Sequence, residues 1–431
     1  MFSVFRNAWK IEDLRKKILF TAFILLVFRL GSAIPVPFLD SAAMEQLFYG
    51  YAQDGNIFSY LNIMSGGAMQ QAALFSLGIS PYINASIIMQ LLMVAIPALE
   101  RLMKEDGERG KQIMETWTRY LAIAFSFLLG FGYYTILKNQ ANAVTKDAGV
   151  FGAIVIVFCF AVGASIVMWL GEKINEGGIG NGISMILFAG IVAGIPGTIN
   201  MVVQNVTLNA LHWAIAVGVA LLVVVMIGFV VFVTNGERRI PVQYAKQVKG
   251  RKMYGGQSTN IPLKVNMVGV LPIIFAQSFV MLPPTIMNFF PSLEKTWFKS
   301  VVNAMSAGGW IYMVLMFLLI IFFSYFYTVI SFNPVEVANN LKKNGGFIMG
   351  IRPGKPTADF ITKSLNRVTL IGALFLGLIS ALPNLVAMIN SSLSMVAIGG
   401  TTLLIVVGVA LETVKTLESQ MLMRHYKGFL E

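Results

Sequence analysis

Ten apolar stretches, each about as long as a bilayer is thick, constrain this chain more than anything else in it. They fall at residues 18–36, 74–96, 120–137, 150–170, 183–202, 211–233, 265–289, 309–330, 368–389 and 393–411. Crossing the hydrocarbon core takes roughly 20 apolar residues in a helix, because each backbone N–H and C=O must be bonded within the segment where no water reaches. The 431 residues are 56% hydrophobic and 12% charged, against about 25% charged in soluble domains. An all-α integral membrane protein is expected. Pro81 interrupts the second stretch, and Gly190, Gly194 and Pro196 interrupt the fifth, so both spans are expected to be broken.

Lys and Arg resist translocation and mark the cytoplasmic side. With the N-terminus placed inside, 27 of the 32 basic residues fall in inside segments. Lys138, Lys146, Lys295 and Lys299 lie outside, and Arg29 lies within the first span. Both termini are therefore expected in the cytoplasm. The basic, amphipathic MFSVFRNAWKIEDLRKK is expected to be retained, since the apolar run after it exceeds a signal-peptide core and lacks a small-residue cleavage site. The net charge of +12 follows from topology better than from a nucleic-acid face, because the charges lie between apolar blocks. Ten spans divide into two fives of opposite topology, residues 1–205 and 206–431. Inverted repeats of this kind build their pathway between the halves; the count alone carries the inference.

Two inside loops are long, 234–264 and 331–367. In the first, Arg238, Arg239, Lys246, Lys249, Arg251, Lys252 and Lys264 stand against one acid, Glu237; the second adds Lys342, Lys343, Arg352 and Lys355. Topology and anionic lipid suffice for bland basic loops. IPVQYA alternates like a strand, however, and GGQST and IRPGKPT are rich in turn residues, so the loops are expected to be shaped. A shaped basic protrusion suits an acidic partner, either RNA or an acidic protein face.

Catalytic signatures are absent. There is no HExxH, no GxSxG and no pair of intramembrane aspartates. GFIMGIRPGKPT has the wrong glycine spacing for a phosphate loop, with Pro356 where Ser or Thr would hold magnesium, and GGIGNGIS follows a membrane helix rather than a strand. Both read as turns. Cys159 is the only cysteine, and His212 and His425 are too few for a histidine-based metal centre; no cofactor is expected. Arg29, the one charged residue in the spans, fits either snorkelling or holding a backbone carbonyl. A secondary transporter of small solutes and a scaffold docking cytoplasmic proteins remain rival readings, although a proton-coupled transporter usually keeps carboxylates at mid-membrane.

SGGAMQQAALFSLGISPYINASIIMQ, residues 65–90, joins a glycine-loosened polar segment to a run with Ile79, Ile83 and Ile87 four residues apart. On a helix these make a slowly winding ridge. The segment before it is too polar to span, and such a segment is tolerated where it lines or fills a cavity. Together with MWLGEKINEGGIGNGISMILFAGIVAGIP, GGQSTNIPLKVNMVGVLPIIFA, NPVEVANNLKKNGGFIMGIRPG and IGGTTLLIVVGVALE, this stretch resembles the SecY/Sec61-alpha family of protein-translocon channel subunits. The likeness runs from FRLGSAIPVP to RHYKGF.

The resemblance implies two five-helix halves closing like a clamshell around an hourglass pore. It places a short plug helix at Phe58–Leu74, including Ser65, Gly66 and Gly67. A pore ring is implied at Ile79, Ile83, Ile183, Leu187, Ile274 and Ile405, where Leu187 stands in place of the isoleucine of many relatives. The second and seventh spans would form a lateral gate, with Asn84 and Gln90 facing Gln277 and Ser278. The implied activity is conduction of unfolded secretory polypeptides across the bacterial plasma membrane, with lateral release of signal sequences and membrane helices. The implied partners are SecE, SecG, the SecA ATPase and a translating ribosome, with Arg238, Arg239, Arg251, Lys252, Lys264 and Arg352 as cytoplasmic contacts, and anionic lipid around them.

Overall fold

Helices make up most of the chain, and the computed structural model describes all of it except residues 1, 41–42, 45–61, 63, 140–142, 146–148, 208–211, 245–246, 250–251, 255–257, 268, 290–296, 305–308, 390–393 and 428–431. In order come α1 (Phe2–Lys10), α2 (Glu12–Gly31), α3 (Ser80–Ala95), α4 (Pro97–Glu105), α5 (Gly107–Asn139), α6 (Gly149–Gly177), α7 (Gly182–Thr207) and α8 (Trp213–Asn235). Strands β1 (Glu237–Tyr244), β2 (Gln247–Lys249), β3 (Lys252–Tyr254) and β4 (Ser258–Lys264) follow. The rest is α9 (Leu271–Phe289), α10 (Trp297–Ala304), α11 (Trp310–Ser331), α12 (Pro334–Lys343), β5 (Gly346–Ile348), α13 (Lys355–Ile389) and α14 (Ser394–Lys427).

Among the described residues, six helical runs are long and apolar enough to cross a membrane, or seven if α3 and α4 count as one bent span. The expected first, seventh and tenth stretches are also helical, as α2, α9 and α14, without meeting that measure of length and composition. Two expectations about breaks need correction. Pro81 starts a helix instead of interrupting one, since it occupies the first turn of α3, where its missing N–H would have had no partner anyway. The break comes at the other end: Ile96 is forced extended before Pro97 (φ −109°, ψ 108°), and the chain bends by 101° into α4. Conversely, α7 runs unbroken through Pro196. Apolar spans tolerate proline inside a helix.

GGIGNGIS is the turn between α6 and α7. Asn181 Oδ1 accepts from the N–H groups of Ile183 and Ser184 at 3.0 and 3.3 Å, and Asn175 Oδ1 accepts from Gly182 at 2.7 Å, which satisfies donors that a helix start leaves open. A Cβ at Gly182 would lie 1.9 Å from the Gly171 carbonyl oxygen, so the close crossing of α6 and α7 requires glycine there.

In the first half, α3 packs on α5, α5 on α6, and α6 on both α2 and α7; in the second, α9 packs on α11, α11 on α13, and α14 on α13 and α8. The two sets touch where α9 meets α3 and α5, and where α14 meets α7. The two long loops, by contrast, build one small body. β1 lies between β4 and β5, antiparallel to both, with Arg239 opposite Pro262 and Val242 opposite Ile348. Ile240 and Val242 face inward with Leu263, Ile348 and Leu341 onto Ile361 and Leu365 of α13. Thus the alternation in IPVQYA is that of a half-buried strand, and the loops are shaped by an apolar core of their own.

Val242→Asp puts an unpaired carboxylate into this core and should destabilise it by about 2 kcal/mol or more. Limited proteolysis in membranes should then cut both loops several-fold faster while the helices resist; unchanged cleavage of the 331–367 loop would show that the strands are not coupled.

Candidate functional site

The aliphatic residues singled out above converge. Ile79, Ile83, Leu187, Ile274 and Ile405 are each 3% exposed or less and belong to one apolar cluster, with the half-buried Ile183 packed against it. They come from α3, or its cap in the case of Ile79, and from α7, α9 and α14. Ile24 and Phe28 of α2 join them, as do Met64 and Phe75.

Met64 and Phe75 lie in the segment expected to be a plug. Its residues 58–61 and 63 lie outside the described residues; Asn62 and Met64 are helical, and Ser65–Gly78 runs as successive turns rather than a longer helix. Gly66, Gly67 and Gly78, all at positive φ, favour this over helix. The segment straddles two cores. Met64 and Phe75 enter the aliphatic cluster, and Phe75 stacks on Phe28 with ring centroids 6.0 Å apart. Met69, Ala72 and Leu77 instead pack with Tyr133, Leu137 and Phe160 of α5 and α6. The buried Tyr133 hydroxyl donates to the Met69 carbonyl at 2.8 Å.

A cavity of about 90 Å³ sits between this segment and the helices, bounded by Met64, Ser65 and Met69 on one side and by Ile79, Ile83 and Leu187 on another. Asn84 of α3 and Gln277, Ser278 and Thr285 of α9 also line it. Ile183, Ile274 and Ile405 share the cluster without lining the cavity.

Three of the four expected gate residues, Asn84, Gln277 and Ser278, therefore share one cavity, while Gln90 lies further along α3. Their hydrogen bonds differ from a direct α3-to-α9 clasp. Gln90 accepts from the Tyr327 hydroxyl and donates to the Ser86 hydroxyl, the latter at 3.0 Å. Gln277, 3% exposed, accepts from the Tyr312 hydroxyl at 3.1 Å. Ser278 donates to the carbonyl of Ile274 in its own helix at 2.9 Å. Both tyrosines belong to α11, and Tyr327 packs on Phe275 of α9 with centroids 5.0 Å apart. Neither tyrosine was signalled by the sequence: an aromatic in WIYMVLMFLLIIFFSYFYTVIS reads as lipid-facing or core, and only the fold aims these two hydroxyls at glutamines.

On and beside the strand body, Arg238, Arg239, Lys264 and Arg352 are exposed. Arg239 Nε pairs with Glu237 Oε1 at 2.7 Å; an exposed pair of this kind contributes little to stability. Nearby, past the tenth stretch, Lys415 Nζ donates to the Thr234 carbonyl at 3.1 Å. Burial, then repulsion from Lys264, pushes its ammonium below lysine's ordinary value. Arg251 lies outside the described residues, as does the side chain of Lys252. His212 caps α8, its Nδ1 accepting from the N–H of Ala214 at 3.3 Å.

Comparison with known proteins places the chain as a whole. The family model for SecY matches residues 73–414. The protein translocase subunit SecY of Streptomyces coelicolor is 44% identical over the full length of both chains, and that of Mycobacterium bovis is 42% identical over the full length of both. Among solved structures, a protein-conducting channel superposes with a TM-score of 0.68 at 17% identity, covering 94% of this chain and 92% of its own. Sec61 in a canine ribosome-channel complex superposes with a TM-score of 0.62 at 15% identity, again covering 94% and 92%. At such identities these structures bear on the fold alone.

The Tyr327–Gln90 bond is open to a double-mutant cycle. Tyr327→Phe and Gln90→Ala should be non-additive in unfolding free energy by about 0.6–2 kcal/mol, the range for hydrogen bonds between membrane helices; strictly additive effects would mean that the two side chains do not bond in the membrane.

Proposed function

Since the chain belongs to the SecY family, it is a multi-pass membrane protein that conducts polypeptides, and we propose that its aliphatic cluster is the closed constriction of that channel. The relatives give the small-solute transporter reading no support. One observation carries the proposal: branched aliphatic side chains from both halves of the chain meet in one buried cluster, and the 64–69 segment shares a cavity with three of them. A narrow apolar neck dewets and so impedes ions. It also offers no hydrogen-bond preference, so unfolded chains of any sequence can slide through. In this reading the proposed ring is Ile79, Ile83, Ile183, Leu187, Ile274 and Ile405, with Ser65, Gly66 and Gly67 in the plug.

The reading takes all ten helical stretches as spans. α2 and α9, at 20 and 19 residues, are about 30 and 28 Å long, close to the hydrocarbon thickness. Two five-helix halves, 1–205 and 206–431, would then hinge where α7 meets α14 and part where α3 meets α9, as both pairs pack together. Asn84, Gln90, Gln277 and Ser278 line that lateral gate, with Tyr312 and Tyr327 bonding two of them. Polar ties of this strength hold the gate shut yet yield to an entering signal helix.

A location in the bacterial plasma membrane with both termini cytoplasmic is supported by the distribution of basic residues and by the bacterial source of the relatives. The same polarity puts the β4-β1-β5 body in the cytoplasm, where Arg238, Arg239, Arg251, Lys252, Lys264 and Arg352 meet SecA or a ribosome; canine Sec61 is a relative in fold seen with a ribosome. SecE and SecG would complete the complex in the membrane, among anionic lipids.

Two outcomes test this. Ile83→Asn or Ile274→Asn puts an amide in the neck and should raise ion conductance of reconstituted vesicles by about tenfold or more; unchanged conductance removes the constriction. Arg352→Glu should lower SecA-driven or ribosome-driven transport while the protein still inserts normally. Full transport at all salt concentrations would remove the loop from the docking surface.

A further inference from the structure

The 62–70 turn is tied to two points that lie outside the aliphatic ring. It is first tied to itself. Asn62 Oδ1 accepts from the Gln70 N–H at 2.9 Å, and its Nδ2 donates to Gln70 Oε1 at 3.3 Å. The Ser65 hydroxyl donates to the Asn62 carbonyl at 3.0 Å and accepts from the Met69 N–H at 3.3 Å. These bonds close the turn into one small body that would move as a unit. Downstream the chain is fastened differently: Val36 N–H donates to the Ala72 carbonyl at 3.0 Å, and Leu74 N–H to the Ile34 carbonyl at 2.8 Å.

Between those fixed points the backbone of the turn also rests directly on α7. A Cβ at Gly190 would lie 2.4 Å from the Met64 carbonyl oxygen and 3.3 Å from the Gly66 nitrogen, and a Cβ at Gly66 (φ +71°) would lie 3.1 Å from Gly190 Cα. The 2.4 Å contact at Gly190 is to backbone and cannot be relieved by a rotamer change, and the positive φ of Gly66 strains any other residue, so the seat needs glycine at both positions. Opposite it, Arg29 Nη1 donates to the Gly66 carbonyl at 2.7 Å. Arg29 sits in the last turn of α2, where the helix dipole favours a cation, and its charge-assisted bond is stronger than a neutral one.

We propose that Gly190 and Arg29 are positioning residues that hold the plug closed, Gly190 as a backbone seat and Arg29 as a cationic catch on the Gly66 carbonyl. This rests on reading the segment as a plug. It assigns the one charge in the apolar spans to carbonyl holding rather than snorkelling, and it adds two fastenings to the contacts that Met64 and Phe75 make with the aliphatic cluster. An opening plug breaks the Arg29 and Tyr133 bonds while the Ile34–Leu74 and Val36–Ala72 bonds persist as its anchor.

The test uses the full complex in vesicles, in a Cys159→Ser background with a Ser65→Cys reporter, 2% exposed as serine. The readout is its rate of modification by a membrane-impermeant maleimide. A hydrogen bond to a charged group, partly wet here, sets an expected acceleration of about tenfold for Arg29→Gln, and Arg29→Lys should restore part of the protection. Gly190→Ala should accelerate modification at least as much, although alanine favours helix over glycine, so a weakened α7 would not be the cause. A second reporter, Ala122→Cys in α5, 3% exposed as alanine and packed with Ala85 and Met168 in a cluster that holds no plug residue, should stay protected throughout. Equal exposure of that reporter would overturn the proposal as general loosening. Unchanged rates at the Ser65→Cys reporter would overturn it too: if Ile83→Asn still raises conductance, the channel reading survives and only the seat and catch fail, whereas if it does not, the channel reading falls as well.

Discussion

Contact among branched aliphatic side chains from four helices is the constraint on which the rest of the structure depends. Ile83, Leu187, Ile274 and Ile405 meet in one cluster although they lie in opposite halves of the chain. In lipid the hydrophobic effect does not drive helices together, since acyl tails are as apolar as leucine. What favours this cluster is close packing and, in the proposed constriction, the exclusion of water from an apolar neck. That makes it cohesive but not fastened: no polar bond within the ring has to break for a chain to pass. The fastening lies outside it, in Tyr327 on Gln90, Tyr312 on Gln277, Tyr133 on Met69 and Arg29 on Gly66. A seal that is apolar at its centre and bonded at its margin can open by small steps, each costing about a kilocalorie per mole or two.

The face proposed to lie in the cytoplasm follows another logic. The β4-β1-β5 body has a packed interior of its own and carries Arg238, Arg239 and Lys264 exposed, so the proposed partner would meet a fixed array of charge rather than flexible loops. The two loops that contribute to it flank the stretch from α9 to α11, and α9 also packs against α3 at the seam. A load on the platform is thus applied one element away from the proposed gate.

Much of this was legible in the sequence. The length and apolarity of the stretches give the membrane class outright, and the alternation in IPVQYA gives β1, because period-2 burial needs no partner to be recognised. Composition also identified the glycine-rich turn at 65–67 as unfit to span. Proline misled in both directions: Pro81 looked like a break and is a helix start, while Pro196 looked like a break and is absorbed. In each case the outcome depends on which backbone groups happen to be bonded nearby, and spacing carries no such information. The same limit hid Tyr312, Tyr327 and Gly190, whose roles exist only once a second helix or the 64–66 backbone lies against them.

The central claim is that translocating polypeptide passes through the Ile83 neck, and the most direct measurement is a crosslink from a stalled secretory chain. With Cys159 removed, a single cysteine replacing Ile83 should crosslink to a stalled chain, and one replacing Val224, 68% exposed on the outer face of α8, should not. A crosslink at Val224 with none at Ile83 would contradict the account, because the path would then run along the outside of the bundle.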